Sequence, residues 1–246
     1  MRAHTLALSL SLSLLPLAAA HAGPSSWFGG QVEGDGHLKT EERRLPAFQK
    51  VKLRTSVDVV ITEGPTAQTR VTVDGNLQPL LTTKVEGDTL VISTEGNGID
   101  ESRGSKVELV MPKLEGVEIH GSGDVRVQRS SAADTLELGI HGSGDLSFRG
   151  SARSVTARIQ GSGDMRLGGG KAEQLAVEIH GSGNVSAKEL PTRSATVSIN
   201  GSGDAELTAT GGELAFEIRG SGDVTWYGEG QVRRSEIRGS GAISRR

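Results

Sequence analysis

The 246-residue chain carries 35 glycines, about twice the usual share, and only 3% aromatic residues; this excludes a thick, ring-filled core and favours a thin one of small and aliphatic side chains. A formal charge of −3 and a pI near 6.1 leave no basic surplus to neutralise a phosphate backbone, so nucleic-acid binding is not expected. With no cysteine there is neither a disulfide framework nor a lipoprotein-type acylation site, and stability has to come from packing.

At the N-terminus, Arg2 and His4, the apolar run from Leu6 to Leu17 and the small-x-small triplet Ala20-His21-Ala22 form the three parts of a secretory signal. Cleavage is expected after Ala22, because an apolar run of about 12 residues falls short of the ~20 of a spanning helix. No second apolar stretch follows, so an exported protein without a transmembrane segment is expected, periplasmic or at the cell surface. Residues 23–45, Gly-rich and charged without alternation, read as a flexible leader. Residues 46–246 read as one continuous domain.

The stretch from Val51 to Ile61 aligns with that from Val117 to Val127, placing Ser56 on Ser122 and Asp58 on Asp124, and its 66-residue offset predicts a separation of about three coils. Between them, residues 70–74 and 83–93 read as strands, the latter a pair joined by a Gly87-Asp88 turn. From there Gly-Ser-Gly recurs at Gly121, Gly142, Gly161, Gly181, Gly201, Gly220 and Gly239, in steps of 19 to 21 residues. Around each triplet apolar residues alternate with polar ones, as in Leu175, Val177 and Ile179 before Gly181, and Val185 and Ala187 after it. That is the period of a strand.

One coil cannot fold alone, since about five inward side chains at ~1.5–3 kcal/mol each do not offset the ordering of ~20 residues at ~1–2 kcal/mol apiece. The expectation is therefore an all-β parallel solenoid, a β-helix-like stack of about 20-residue coils, for which the crossover rule favours a right-handed turn. The triplet glycines occupy inward phases and would let the chain bend or approach the opposite wall. In the last copy Arg233, Ser235 and Arg245 stand at inward phases beside Ile237 and Ile243, as in a terminal cap.

The stretch from Phe48 to Gly64, containing Val57-Asp58-Val59-Val60-Ile61-Thr62-Glu63, followed by Met111-Pro112-Lys113-Leu114 and the train of Gly-Ser-Gly-Asp corners, resembles the head GIN domain family, named for autotransporter adhesin heads. The resemblance implies a β-solenoid in a cell-envelope or secreted bacterial protein, with adhesion or polysaccharide binding. It does not extend to a membrane barrel, for which no barrel-length alternating strands remain before Arg246.

Outward phases stack into rows about 4.8 Å apart. One row holds Asp124, Asp145, Asp164, Asn184, Asp204 and Asp223, ending at Ala242. Such a row either invites a divalent cation or serves corner amides; Asn184 within it favours the corner role, and no metal or cofactor is expected. A second row holds His120, His141 and His180, with Gln160, Asn200, Arg219 and Arg238 at the same phase elsewhere. His120-Ser122-Asp124 and its repeats place three hydrolase-like groups on one side of a strand, but repetition points to a polar stacking row. A third, Glu118, Gly139, Arg158, Glu178, Ser198, Glu217 and Glu236, reads as a solvated face with cross-coil ion pairs. Tyr227 is the better exposed aromatic candidate, while Trp226 falls inward.

These rows favour a non-catalytic, adhesin-like binding module over an enzyme, with a polysaccharide or a cell-surface protein as partner. Its alternative is a structural or self-associating envelope protein, and a polysaccharide lyase or hydrolase is less favoured.

Overall fold

The computed structural model describes residues 30–96 and 98–246; the expected signal sequence, residues 1–22, and residues 23–29 of the expected leader lie outside that range. Eighteen of its strands join in one continuous sheet, and a second sheet pairs Val32–Glu33 with Ile99–Asp100. No helix forms among the described residues.

The repeats stack as parallel strands in register. Ile140 pairs with Ile159, Ile159 with Ile179, Ile179 with Ile199 and Ile199 with Ile218, so one inward phase becomes a continuous isoleucine column. Beside it run Leu138, Ala157, Val177, Val197 and Phe216, all buried. Each coil has one wall before its Gly-Ser-Gly corner and one after it. The second wall contributes Leu146, Met165, Val185, Ala205 and Val224, and the core between the walls is a thin slab of aliphatic side chains. Every coil borrows its backbone partners from its neighbours, which is how a sequence too poor in apolar volume for a globular core still folds.

The stacking order differs from the chain order. Val51 pairs directly with Val117, Leu53 with Ile119 and Val59 with Val125, so the predicted separation of about three coils is corrected to none. Residues 64–115, between them, leave the stack and return on the far side of the first coil. There Thr89–Thr94 pairs parallel with Lys50–Arg54, and Lys106–Met111 with Asp58–Glu63. Each coil has two free edges, and a repeat period cannot tell which edge the chain will fill next.

That end of the stack is closed by antiparallel strands. Leu81–Glu86 pairs with Thr89–Thr94 across the expected turn, where Gly87 takes φ +65°. On the other wall Gln68–Asp74 pairs antiparallel with Lys106–Met111, and Leu38–Glu42 pairs in turn with Gln68–Asp74. With Val32–Glu33 also paired, the flexible-leader expectation is thus corrected from residue 32 onward. Leu38–Glu42 buries none of its side chains, so it leaves no alternation to read. Backbone pairing and Arg43 hold it: the guanidinium donates to the carbonyls of Leu81 at 2.6 Å and Gln78 at 3.0 Å.

At the opposite end the register shifts between Leu214 and Ala215, so Val232 rather than Arg233 faces Leu214. Arg233, expected inward, instead turns its Nε to Glu213 at 3.1 Å. Ser235 and Arg245 do stand opposite Phe216 and Trp226. The Arg245 guanidinium lies over the Trp226 ring, 4.9 Å from its centroid, and covers it.

Candidate functional site

The corners are built from glycine because of the neighbouring coil. A Cβ placed on Gly181 would lie 2.3 Å from the carbonyl oxygen of Gly161, and one on Gly183 2.1 Å from that of Gly163. Gly181 also takes φ +135°. The expected approach to the opposite wall is therefore corrected: the glycines permit close stacking of successive corners, not a short path across the core. The serines between them, Ser122, Ser143, Ser162, Ser182, Ser202, Ser221 and Ser240, are all exposed.

After the serine the chain kinks, and the amide of the following Asx residue has no carbonyl beneath it. The side chain of the coil below supplies the acceptor. Asp58 Oδ1 accepts the Asp124 amide at 3.1 Å, Asp124 that of Asp145 at 2.9 Å, and Asp145 that of Asp164 at 2.8 Å. The series continues through Asp164 to the Asn184 amide at 3.0 Å, Asn184 to Asp204 at 2.9 Å, and Asp204 to Asp223 at 2.7 Å. Asp223 accepts the Ala242 amide at 2.8 Å. A short side chain with an oxygen two bonds beyond Cβ fits this place, charged or not. Among the described residues no group of three His, Asp or Glu side chains is arranged to hold a metal ion.

The histidine row is brought together only in part. The rings of His120 and His141 stack at 4.5 Å and 14°, and His141 Nδ1 lies 3.2 Å from Gln160 Oε1. Gln160 then separates His141 from His180. The hydrolase-like arrangement is not assembled: His120 Nε2 lies 3.0 Å from Glu118 Oε2 instead of engaging Ser122, and Asp124 Oδ1 is occupied by the Asp145 amide. Lys52 Nζ, 2.7 Å from Glu118, together with His120 holds that carboxyl down at about 2 against the opposing effect of burial.

The Glu row forms a cross-coil ion pair, Arg158 Nε to Glu178 at 3.0 Å, whereas Glu236 pairs within its own coil with Arg238 at 2.6 Å. Tyr227 is half-buried, with Lys188 Nζ 4.5 Å from its ring centroid.

Two carboxylates escaped the sequence reading because each lies in a segment outside the repeat. Asp74 is fully buried and accepts from the amide and hydroxyl of Ser102, at 2.8 and 2.7 Å, and from the Gly36 amide at 2.9 Å. The Ser102 amide foremost lowers its pKa, against burial. Burial pushes Glu63 upward, yet the Ser131 and Ser130 hydroxyls and the amides of Ser131 and Leu114 outweigh it and leave the carboxyl below its ordinary range. Both serve as anchors where the chain leaves and re-enters the stack.

These features define a repeat-built parallel β-solenoid with in-register polar rows on open walls and a capped N-terminal end. The chain belongs to the family described as "putative auto-transporter adhesin, head GIN domain", whose profile matches residues 47–230. Its fold is similar to that of a "putative adhesin" from Bacteroides fragilis NCTC 9343, with 22% identity, a TM-score of 0.79, and coverage of 87% of this chain and 100% of that one. It is likewise similar to a "putative lipid binding protein" from Parabacteroides distasonis ATCC 8503, at 23% identity and a TM-score of 0.75, covering 88% of this chain and 100% of that one. A "putative adhesin" from Parabacteroides merdae ATCC 43184 has 21% identity and a TM-score of 0.66, over 88% of this chain and 99% of that one. At these identities the likeness concerns the fold. No curated protein matches the chain.

Proposed function

We propose that the protein is a non-catalytic, exported binding module of the bacterial cell envelope, adhesin-like, which engages extended surface polymers, glycans foremost, along its solenoid walls. The observation that carries this reading is the deployment of its polar side chains in in-register rows on open faces, which suits a long ligand better than a small one. A concavity of about 630 Å3, a trough by Arg43, Phe48 and Thr69, contains none of the repeated rows. Asp74, Glu63 and Glu118 have lowered pKa values and structural hydrogen bonds, whereas a general acid at neutral pH needs a raised one.

A glycan-array screen of the secreted protein tests this, scored together with an assay for newly formed chain ends. Retention of a set of extended glycans without cleavage is the expected result. Cleavage products, or a blank array, would refute it.

A second reading, self-association, is favoured by the last coil, where Val232 and Ile237 are each 42% exposed and among the described residues nothing pairs with the outer edge of Gln231–Gly239. Sedimentation of the wild type against Val232→Lys with Ile237→Lys distinguishes it, since only this reading makes the mass concentration-dependent and sensitive to those changes.

A further inference from the structure

The wall that follows the corners differs in charge from the wall that precedes them. On the preceding wall the cations are matched: Lys52 with Glu118, Arg158 with Glu178, Arg238 with Glu236. On the following wall Arg126, Arg149 and Lys188 are exposed and have no ion-pair partner among the described residues. Arg166 reaches only to 3.8 Å from Asp145 and Asp164, and each of those carboxylates already holds a corner amide through its Oδ1. A chain of net charge −3 thus gathers four cations on one face.

Register explains their arrangement. Arg126, Ser147, Arg166 and Ser186 form one row, because Val125, Leu146, Met165 and Val185 beside them stack in order. In the next row Arg149 stands opposite Gly168, and the side chain of Glu189 packs over that glycine. Arg149, Arg166, Gly168 and Lys188 line a trough of about 260 Å3, with Ser147 and Ser186 between them. Glu189 is the one carboxylate that lines it.

We infer that this strip binds an acidic polysaccharide, its carboxylates or sulfates on Arg126, Arg149, Arg166 and Lys188 and its hydroxyls on Ser147 and Ser186; the inference rests on the binding-module reading above. Arg126 and Arg166 are two coils apart, about 10 Å, which suits carboxylates two sugars apart on an extended polyuronate chain rather than phosphates spaced about 3.4 Å along the axis of a nucleic-acid helix. A lipid surface would call for apolar side chains to insert, yet among the described residues the large exposed ones, Val32, Leu38, Val232 and Ile237, all lie in the end segments. Guanidinium groups also pair in bidentate fashion with carboxylate and sulfate, which gives the strip directionality.

The test compares polygalacturonate with neutral dextran of matched length, at about 50 and about 200 mM salt, for the wild type, for Arg126→Ser/Arg149→Ser/Arg166→Ser/Lys188→Ser, and for a control carrying Arg158→Ser/Arg219→Ser on the other wall. The wild type is expected to prefer polygalacturonate by about tenfold or more at low salt. The fourfold variant should lose that preference with an unchanged melting curve, while the control stays within about twofold. Should the fourfold variant fail to fold, Arg149→Ser/Lys188→Ser alone should still weaken binding by about threefold. Equal binding of both polymers, or a preference that survives in the fourfold variant, overturns the strip and leaves the binding-module reading standing. Failure of every glycan on the array removes that reading as well. Stronger binding to phosphatidylglycerol vesicles than to polygalacturonate assigns the face to lipid and overturns the polysaccharide inference.

Discussion

Asp145 Oδ1 accepts the backbone amide of Asp164, one coil further along, at 2.8 Å, and the same bond recurs at every corner of the repeat train. The acceptor matters there and the charge does not, as Asn184 shows by holding the Asp204 amide at 2.9 Å. Asp164→Asn should therefore lie within about 0.5 kcal/mol of wild type, whereas Asp164→Ala orphans the Asn184 amide and should cost about 1–3 kcal/mol. Urea melts of the two variants check this, and equal losses would show that charge is being selected.

Inward and outward phases make a sharper contrast. Ile179 is fully buried in its column and Glu178 beside it is paired only to Arg158 on the surface. Ile179→Asp puts an unpaired charge into a thin core and should cost several kcal/mol, on the order of 4. Glu178→Ala should stay within about 0.5 kcal/mol. Comparable midpoints in denaturant would mean that the phases are misassigned.

The glycine columns predict a steep position effect within one triplet. Gly183→Ala drives a methyl group against the Gly163 carbonyl, and the backbone there cannot retreat without opening the corner stack. A loss of about 3 kcal/mol is expected, against about 0.5 or less for the exposed Ser182→Ala. Thermal melts of both report the difference.

Asp74 makes the N-terminal cap sensitive to acid. Its folded pKa is lowered, so the unfolded chain binds the proton more readily; the stabilisation is fully present above the ordinary carboxylate pKa and is lost as pH falls through the folded value. Hydrogen exchange in the segments that surround it, Leu38–Glu42 and Gln68–Asp74, should accelerate on acidification before exchange in the repeats does. Asp74→Asn should remove most of that pH dependence and expose the same segments already near neutrality. Uniform acceleration along the whole chain would contradict the assignment.

Where a coil repeats, its structure was legible, because Ile140, Ile159 and Ile179 occupy one phase and a period of two leaves no competing reading. The alignment of Val51 with Val117 was legible too, down to the residue, but its meaning was not. A period reports which residues are equivalent, and adjacency depends on which free edge the chain fills. Leu38–Glu42 was hidden because it buries nothing, and Arg233 because it is the residue bulged out of the pairing, where the register of the strand shifts. Of the candidate site, the Asx and histidine rows could be drawn from spacing, whereas the hydrogen bonds that commit Asp145 or His120 depend on geometry between coils. The cations Arg126, Arg149, Arg166 and Lys188 went unread because only Arg126 and Arg166 share a phase, with Ser147 between them, and stacking is what gathers all four on a single wall.

Whether the Asx row is scaffold or site decides between a module whose ligands lie on its walls and one that works through bound cations. Melting temperature with millimolar calcium against chelator tests it most directly, since an ion that binds the folded state alone raises stability by mass action. With every Oδ1 of the row already serving an amide, the two melting temperatures should agree within about 2 °C, well under ~1 kcal/mol at this size. A rise of about five degrees or more, abolished by Asp145→Asn together with Asp164→Asn, would contradict the scaffold role and make the row a metal site.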